Sequence, residues 1–421
     1  MIAAFFGSML LFVLIGVPIA FALQLSGMFY LLITHLSPMV MVAQRMARGL
    51  DSFTLMAVPL FIAAGYLMEK TSIAKRLVEW VGCIFNRVSG GVGIITVVAC
   101  AIFAALTGSG YATVAAIGAI MMSDLVASGY PKGSAAGLLA AAGALGPIIP
   151  PSIPMIIYGA TMGVSISDMF VGGVVPGLLI AAILIIMNVI FARKWGVKKI
   201  TQHYTLKEFL VLTRKAFGAL LMPVIVLGGI YGGIFTPTEA AGVAVIYGLI
   251  LGFCYRDLTF EVLLSVLKRT LETSGMIMFI VSQASLFAMI LTATRAPQNI
   301  AEALIPLING NTTLYLLMLS AILFVLGALL ETVPIILIVG PILVPVGIQL
   351  GIDPLHLGVV FCINLVVGYI TPPYGGNLFT AAATTKQSYV EVVKGVFPFM
   401  IAMMIFVLAL AFLPVLTTWL P

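Results

Sequence analysis

The chain is 421 residues long, 62% hydrophobic and only 8% charged, with a formal net charge of +6. A soluble domain carries about 25% charged residues, so this chain cannot cover a water-facing surface, and lipid must be its main solvent. The positive balance does not point to nucleic acid, because nearly all Lys and Arg residues fall in loops or at helix ends, as the positive-inside tendency requires.

The first thirty or so residues are apolar, with no basic leader and no small-residue cleavage site, so they are read as a retained span rather than a signal peptide. Residues 9–31, 218–235 and 396–413 fill or nearly fill the roughly 20-residue length of a membrane helix. Along the first half a helical pair bends near Pro18. An amphipathic basic segment (42–52) and a span (53–68) follow, then a second amphipathic stretch carrying Lys75, Arg76 and Glu79 on its solvated face. Two short apolar arms come next, 94–106 and 113–126, separated by Thr107-Gly-Ser-Gly110. A span broken at Pro150-Pro151 and a long final span complete the half.

The second half repeats this order. Its pair bends near Pro237, the basic segment is 259–271 and the span is 273–294. Its arms are 315–330 and 335–349, separated by Glu331-Thr-Val-Pro334. One shift of 222 residues relates Gly146, Pro150 and Pro151 to Gly368, Pro372 and Pro373, and also Gly173 and Pro176 to Gly395 and Pro398. Several matches in register, at helix-disrupting residues, indicate an internal duplication. The expected division is a first repeat at 1–196, a basic connector at 197–216 and a second repeat at 217–421.

Arms of 13–16 residues are short for a hydrocarbon core about 30 Å thick. They are therefore read as re-entrant hairpins. Each half then crosses an odd number of times, which makes the two halves inverted repeats, the plan of many secondary transporters. Arg193, Lys194, Lys198, Lys199, Lys207, Arg214 and Lys215 crowd the connector, with Glu208 its only acid. That assigns the connector to the cytoplasm and both termini to the outside.

The two diproline breaks carry the strongest functional signal. Successive prolines interrupt a helix and leave carbonyls unpaired, which lipid tolerates only where those groups are buried in protein or line a cavity. Broken helices offer carbonyls to a cation at one half-helix end and a positive dipole end to a carboxylate at the other. A packing kink is the competing reading. At the first hairpin tip Gly108 and Gly110 permit a tight turn, while Thr107 and Ser109 offer hydroxyl ligands; such hard oxygen donors suit a monovalent cation better than a transition metal. Glu331, at the second tip, reads equally as a cation ligand or as an exposed loop acid. Arg295, directly after an apolar run, reads either as a bidentate partner for a substrate carboxylate or as a snorkelling interfacial residue. Asn377, four residues beyond Pro373, is a polar contact on the half-helix that restarts there.

Other polar residues have structural explanations. Thr236-Pro-Thr-Glu239 has the form of a capping box, and Ser165 with Asp168 reads the same way. His35, His203 and His356 lie apart. Cys83, Cys100, Cys254 and Cys362 have no paired spacing and are expected to be free and buried.

Three stretches carry a resemblance: Leu106-Thr-Gly-Ser-Gly110 through Ala116, Gly146-Pro-Ile-Ile-Pro-Pro-Ser-Ile-Pro154, and Ile370-Thr-Pro-Pro-Tyr-Gly-Gly-Asn-Leu378. Through them the chain resembles the large membrane subunit of the tripartite ATP-independent periplasmic (TRAP) transporters, the DctM-like family. The resemblance implies an all-α polytopic protein of the bacterial inner membrane, built as a scaffold and a moving transport domain that works as an elevator. It implies coupling to two or more Na⁺ ions. One site would lie around Thr107, Ser109 and Gly110 with Gly146, Ile149 and Pro151; the other would lie around Glu331 and Thr332 with Gly368 and Thr371. Arg295, Ser109 and Asn377 would meet the organic anion. The acid at the second tip is commonly aspartate in the family, so Glu331 is a departure. The implied partners are a small four-helix membrane subunit and a periplasmic substrate-binding protein, the small subunit not being fused to this chain. The implied cargo is a dicarboxylate, sialic acid or a sugar acid.

Rival functions find less support. There is no Gly-x-x-x-x-Gly-Lys-Ser/Thr loop for a transport ATPase and no repeated filter loop for a channel. Ser109 has no histidine partner for an intramembrane protease. A stand-alone sodium-coupled dicarboxylate symporter of similar architecture remains as the alternative.

Overall fold

A computed structural model describes residues 2–85, 88–198 and 204–419, with side chains from residue 4 onward. Lys199 and His203 therefore lie outside the described residues. The first half runs α1 (Ile2–Leu14), α2 (Ile19–Thr34), α3 (Val40–Arg48), a 3-10 turn (Thr54–Met56), α4 (Ala57–Lys70), α5 (Ile73–Phe85), α6 (Gly91–Thr107), α7 (Gly110–Ala127), α8 (Lys132–Gly143), α9 (Ile153–Met162) and α10 (Ile166–Lys194). The second half runs α11 (Leu206–Tyr231), α12 (Pro237–Cys254), α13 (Phe260–Ala293), α14 (Ala296–Leu307), α15 (Thr312–Gly327), α16 (Thr332–Gln349), α17 (Pro354–Gly368), α18 (Gly376–Thr385) and α19 (Tyr389–Leu410). Seven of the described helices, α7, α10, α11, α12, α13, α16 and α19, are long and apolar enough to cross a membrane.

The two halves follow one plan. A helical pair (α1–α2; α11–α12) leads to an arm and span, a short amphipathic helix (α5; α14), a hairpin (α6–α7; α15–α16), a broken helix (α8–α9; α17–α18) and a long final helix (α10; α19). Pro176 and Pro398, related by the 222-residue shift, both sit inside the final helix of their half. Both diproline bonds, Pro150-Pro151 and Pro372-Pro373, are cis.

The structure changes three expectations about the elements. The stretches 259–271 and 273–294 are not an arm followed by a separate span; they form one 34-residue helix, α13. Nothing between them stops a helix, since Glu272-Thr-Ser-Gly275 contains no proline and its glycine sits inside regular turns. In the first half Gly49 ends α3 and a 3-10 turn intervenes before α4, so the same region is broken. The expected connector is half helix, because Thr205 and Glu208 form a capping box that starts α11 at Leu206. The hairpin arms have 17, 18, 16 and 18 residues; three are longer than expected, and the third, α15, keeps its expected length but lies three residues earlier. Even so, their tips pack against breaks that have helix on both sides, so each hairpin ends at mid-depth in the protein.

Local caps and burial follow ordinary chemistry. Thr236 and Glu239 form their capping box, with the Thr236 N–H donating to Glu239 Oε2 at 2.8 Å. Ser165 caps α10 by accepting from the Asp168 N–H at 3.3 Å. Cys100 and Cys362 are free and buried, but Cys83 is only half-buried and Cys254 is exposed, because Cys254 ends α12 at its surface turn. In α5 the apolar face from Ile73 to Gly82 is buried, and Arg76 is held over the Tyr255 ring at 3.8 Å rather than left in solvent.

Packing divides the helices into two groups. Helix α13 lies along α2, α3 and α4, and α4 packs on α12. The hairpins, broken helices and final helices form the other group: α8 packs on α19 and α7, and α17 packs on α15, α16 and α10. The buried interior of α8 is almost entirely Ala, Gly and Leu, which lets neighbouring backbones approach closely without a driving force from water.

Candidate functional site

Each hairpin tip rests on the break of its own half. At the first tip α6 ends on Gly108 at φ 61°, and Ser109 caps α7 by accepting from the Ala112 N–H at 3.4 Å. Thr113 Oγ1 donates to the Ser109 carbonyl at 2.7 Å and lies 3.4 Å from Thr107 Oγ1, so the tip's hydroxyls are held together. A methyl group added at Gly146 would come within 2.5 Å of the Ser109 carbonyl, so tip and break touch backbone to backbone. The second half is built alike. A methyl group at Gly368 would come within 2.5 Å of the Gly327 backbone, and the Tyr374 N–H donates to the Ala328 carbonyl at 3.0 Å. Thr332 Oγ1, buried at this tip, pairs with the Tyr369 hydroxyl at 2.9 Å.

The breaks leave acceptors free. The carbonyls of Gly146, Ile148, Ile149, Pro150 and Pro151 accept no hydrogen bond from described residues, nor do those of Ile370, Thr371 and Pro372. Other groups are already engaged: Ser152 Oγ donates to the Pro147 carbonyl, and Thr371 Oγ1 donates to the Val367 carbonyl at 2.8 Å. The side chain of Ile149 packs towards Gly177 of α10, so at this position only the main chain can act as a ligand.

At the hairpin tips, two polar contacts among the described residues join the halves. The Tyr111 hydroxyl, just past the first tip, donates to Glu331 Oε1 of the second tip at 3.0 Å. The Tyr374 hydroxyl donates to the same oxygen at 3.3 Å, and the rings of Tyr111 and Tyr369 lie 5.1 Å apart. Asn377 makes the other contact. It is fully buried and donates to the Ala140 carbonyl at 3.2 Å, while its Oδ1 has no donor. A methyl group at Gly110 would meet that Oδ1 at 2.8 Å and the Gly143 carbonyl at 3.2 Å. Oδ1 of the second half is therefore turned towards the first tip, a buried orphan of the kind that calls for a ligand.

Above both tips lies a cavity of about 700 Å³, closed on its far side by α2, α4 and α13. Among the described residues Glu331 is the only acidic side chain on its wall, and no described Lys, Arg or His lines it. Hydroxyls come from Ser109, Thr332, Thr273, Tyr66, Tyr111 and the other tip tyrosines; Tyr66 and Thr273 are bonded to each other at 2.8 Å. The first residues of α2, α7, α9 and α16 all reach the wall, so the N-terminal ends of four helices supply partial positive charge there. Such a space accepts an anion without a cationic side chain, provided that Glu331 is neutralised.

Of the expected site residues, Thr107, Ser109, Gly110, Gly146, Ile149, Pro151 and Asn377 come together at the first tip, and Glu331, Thr332, Gly368 and Thr371 at the second. Arg295 does not join them. It is exposed, at φ 51°, where α13 gives way to α14. Sequence reasoning missed Tyr66, Tyr111, Thr273, Tyr369 and Tyr374. Tyr369 and Tyr374 flank the second diproline, which was a usable signal; nothing local links Tyr111 to a residue 220 positions away.

A family model described as "Tripartite ATP-independent periplasmic transporter, DctM component" matches residues 6–416. The C4-dicarboxylate TRAP transporter large permease protein DctM of Vibrio cholerae is 41% identical over 97% of this chain and 94% of its own length. The isethionate TRAP transporter permease protein DctMQ of Oleidesulfovibrio alaskensis is 39% identical over 99% of this chain, which spans 64% of that longer protein. Among solved structures, the YdaH transporter of Alcanivorax borkumensis shares the fold, with a TM-score of 0.64 at 13% identity over 88% of this chain and 87% of that one.

Proposed function

Since the chain belongs to the DctM family of tripartite ATP-independent periplasmic transporter components, we propose that it is the large permease subunit of a sodium-coupled importer of small organic acids. It would work in a bacterial inner membrane with a small membrane subunit and a periplasmic binding protein. Dicarboxylates are the first class to test, in view of the name carried by the 41% identical relative.

One observation carries this reading: two hairpin tips, one from each half, close on two broken helices beneath a single cavity whose only charged side chain among the described residues is Glu331. The free carbonyls of the first break, the Ser109 and Thr107 hydroxyls and Asn377 Oδ1 are the ligands of one Na⁺. Glu331, Thr332 and the free carbonyls of Ile370, Thr371 and Pro372, held in place by Gly368, serve a second. Hard oxygen donors of this kind match a monovalent cation.

Coupling then follows from electrostatics. Two like charges about 4 Å apart repel by roughly 4 kcal/mol at an effective dielectric of 20. An organic anion entering beside an ionised Glu331 meets that repulsion until a cation neutralises it. Once Na⁺ is bound, the four helix ends and the tip hydroxyls hold the carboxylate. The anion is not favoured until Na⁺ is in place, so it travels only with the cation.

With the connector in the cytoplasm, α13 runs from inside at Phe260 to outside at Ala293. The cavity, lined by Thr273 to Ile280, then faces the inner half. Arg295 is fifteen residues further on, about 22 Å along the helix. It meets the anion only if the hairpins and broken helices slide outward along α13, which is the elevator movement.

The test is uptake of labelled succinate into proteoliposomes that hold this chain and the small subunit. Uptake only when the loaded binding protein is added outside supports the tripartite reading. Equal uptake from free succinate, without that protein, favours a stand-alone symporter instead.

A further inference from the structure

A second cavity, of about 520 Å³, begins where the first one ends. Ile280 of α13 lines the first and Val281 the second, which continues along the same helix to Ala293. Its other walls are Arg45 of α3 with the turn that follows, the C-terminal end of α9 and part of α16. Among the described residues Arg45 is its only ionisable side chain; the remaining polar groups are the hydroxyls of Ser52, Thr161, Ser285 and Thr292, and no described acid lines it.

Arg45 is half-buried, and its guanidinium makes no ion pair or hydrogen bond with any described residue. The position itself is fixed. Ser285 Oγ donates to the Arg45 carbonyl at 2.7 Å and Ser282 Oγ donates to the Met46 carbonyl at 3.0 Å, so α3 is fastened to α13. A half-buried cation with no ion-pair partner is costly, and with hydroxyls but no acid on the described wall the charge left to be compensated is that of Arg45. The ordinary explanation, a basic residue favoured at a helix C-terminus, is already met by Arg48, which is exposed in the same turn.

We infer that this second cavity is an outer vestibule for the organic anion, in which Arg45 captures the anionic group before it reaches the hairpin tips. The inference rests on the transporter reading and on the outward direction of α13. It adds a binding step on the side from which the binding protein delivers. An anionic lipid headgroup presents the same charge; the hydroxyls deep along α13 favour a soluble anion, and the experiment separates the two sources.

The test places a cysteine on the cavity wall by Ala288→Cys, with the four native cysteines replaced by alanine, in right-side-out vesicles. Anionic and cationic methanethiosulfonate reagents are added outside, and their reaction rates are compared. The anionic reagent is expected to react faster, and Arg45→Gln to lower that preference about 25-fold, since one unit charge about 4 Å away in water changes each rate about fivefold, in opposite directions for the two reagents. Arg45→Lys, which keeps the charge, is expected to retain it and serves as a control for folding. Labelling from outside with no change of preference in Arg45→Gln overturns the vestibule and leaves the transport reading intact. Labelling only from the inside overturns the sidedness, and the vestibule with it, whatever uptake shows. If phosphatidylglycerol protects the cysteine relative to pure phosphatidylcholine vesicles while added succinate does not, the cavity belongs to lipid and the proposal fails.

Discussion

Tyr111 of the first half donates its hydroxyl to Glu331 of the second at 3.0 Å, so the two hairpin tips are tied by one hydrogen bond across the internal repeat. Hydrogen bonds to charged groups contribute about 1.5–3 kcal/mol, and partial exposure of Glu331 places this one at the lower end. Tyr111→Phe is expected to lower uptake about tenfold while leaving the protein folded. Uptake at the wild-type rate, with intact size-exclusion behaviour, would remove this link from the site.

Glu331 itself should set the sodium requirement. Glu331→Gln keeps the shape and an acceptor but removes the charge, so the sodium concentration for half-maximal uptake should rise about tenfold. Glu331→Asp keeps the charge and should stay within a few-fold of wild type. If the Gln variant shows an unchanged sodium dependence, Glu331 is no cation ligand.

The tip-to-break contacts leave no room for a methyl group. Added carbon at Gly146 or Gly368 would stand 2.5 Å from backbone atoms that cannot rotate away. Gly146→Ala and Gly368→Ala should each cost about 3 kcal/mol, the upper range for overpacking, and abolish uptake. Gly242→Ala, in α12, meets nothing within 4 Å and should behave as wild type in thermal unfolding and transport.

Asn377→Leu tests the buried orphan oxygen. The variant removes the orphan oxygen and also the amide's bond to the Ala140 carbonyl, so it should cost about 1 kcal/mol when sodium is absent. The same variant should lose most of the stabilisation that added sodium gives the wild type, since ligand binding to the folded state raises the melting temperature. Equal sodium-induced shifts in both proteins would exclude Asn377 from the ion site.

The sequence was most legible where chemistry is local. Proline pairs announce a broken helix by restricting their own backbone, and Gly108 announces a tight turn by permitting one; both breaks and the first tip were therefore placed correctly. The second tip lies at 328–331, ahead of the expected 331–334, because Pro334 is tolerated in the first turn of α16, which already starts at Thr332. The repeated order of elements followed from the 222-residue shift. Continuity was harder to read: an amphipathic start and an apolar finish suggested two pieces, yet α13 is one helix because no breaker separates them. Contacts between halves were invisible. Asn377 was noticed for its nearness to Pro373, but that its amide reaches Gly110 depends on how two distant segments pack. Arg295 drew attention as an isolated cation, and isolation along the chain gave no information about its distance from the cavity. Arg45 was hidden among the basic residues of an amphipathic arm, where charge is the ordinary expectation.

The central claim is that sodium must occupy the hairpin tips before the anion can bind beside Glu331. The most direct measurement is simultaneous counting of labelled sodium and labelled succinate entering proteoliposomes with the binding protein present. The account predicts that succinate enters only with an inward sodium gradient, and that more than one Na⁺ accompanies each anion. Equal succinate entry with potassium on both sides of the membrane would contradict it.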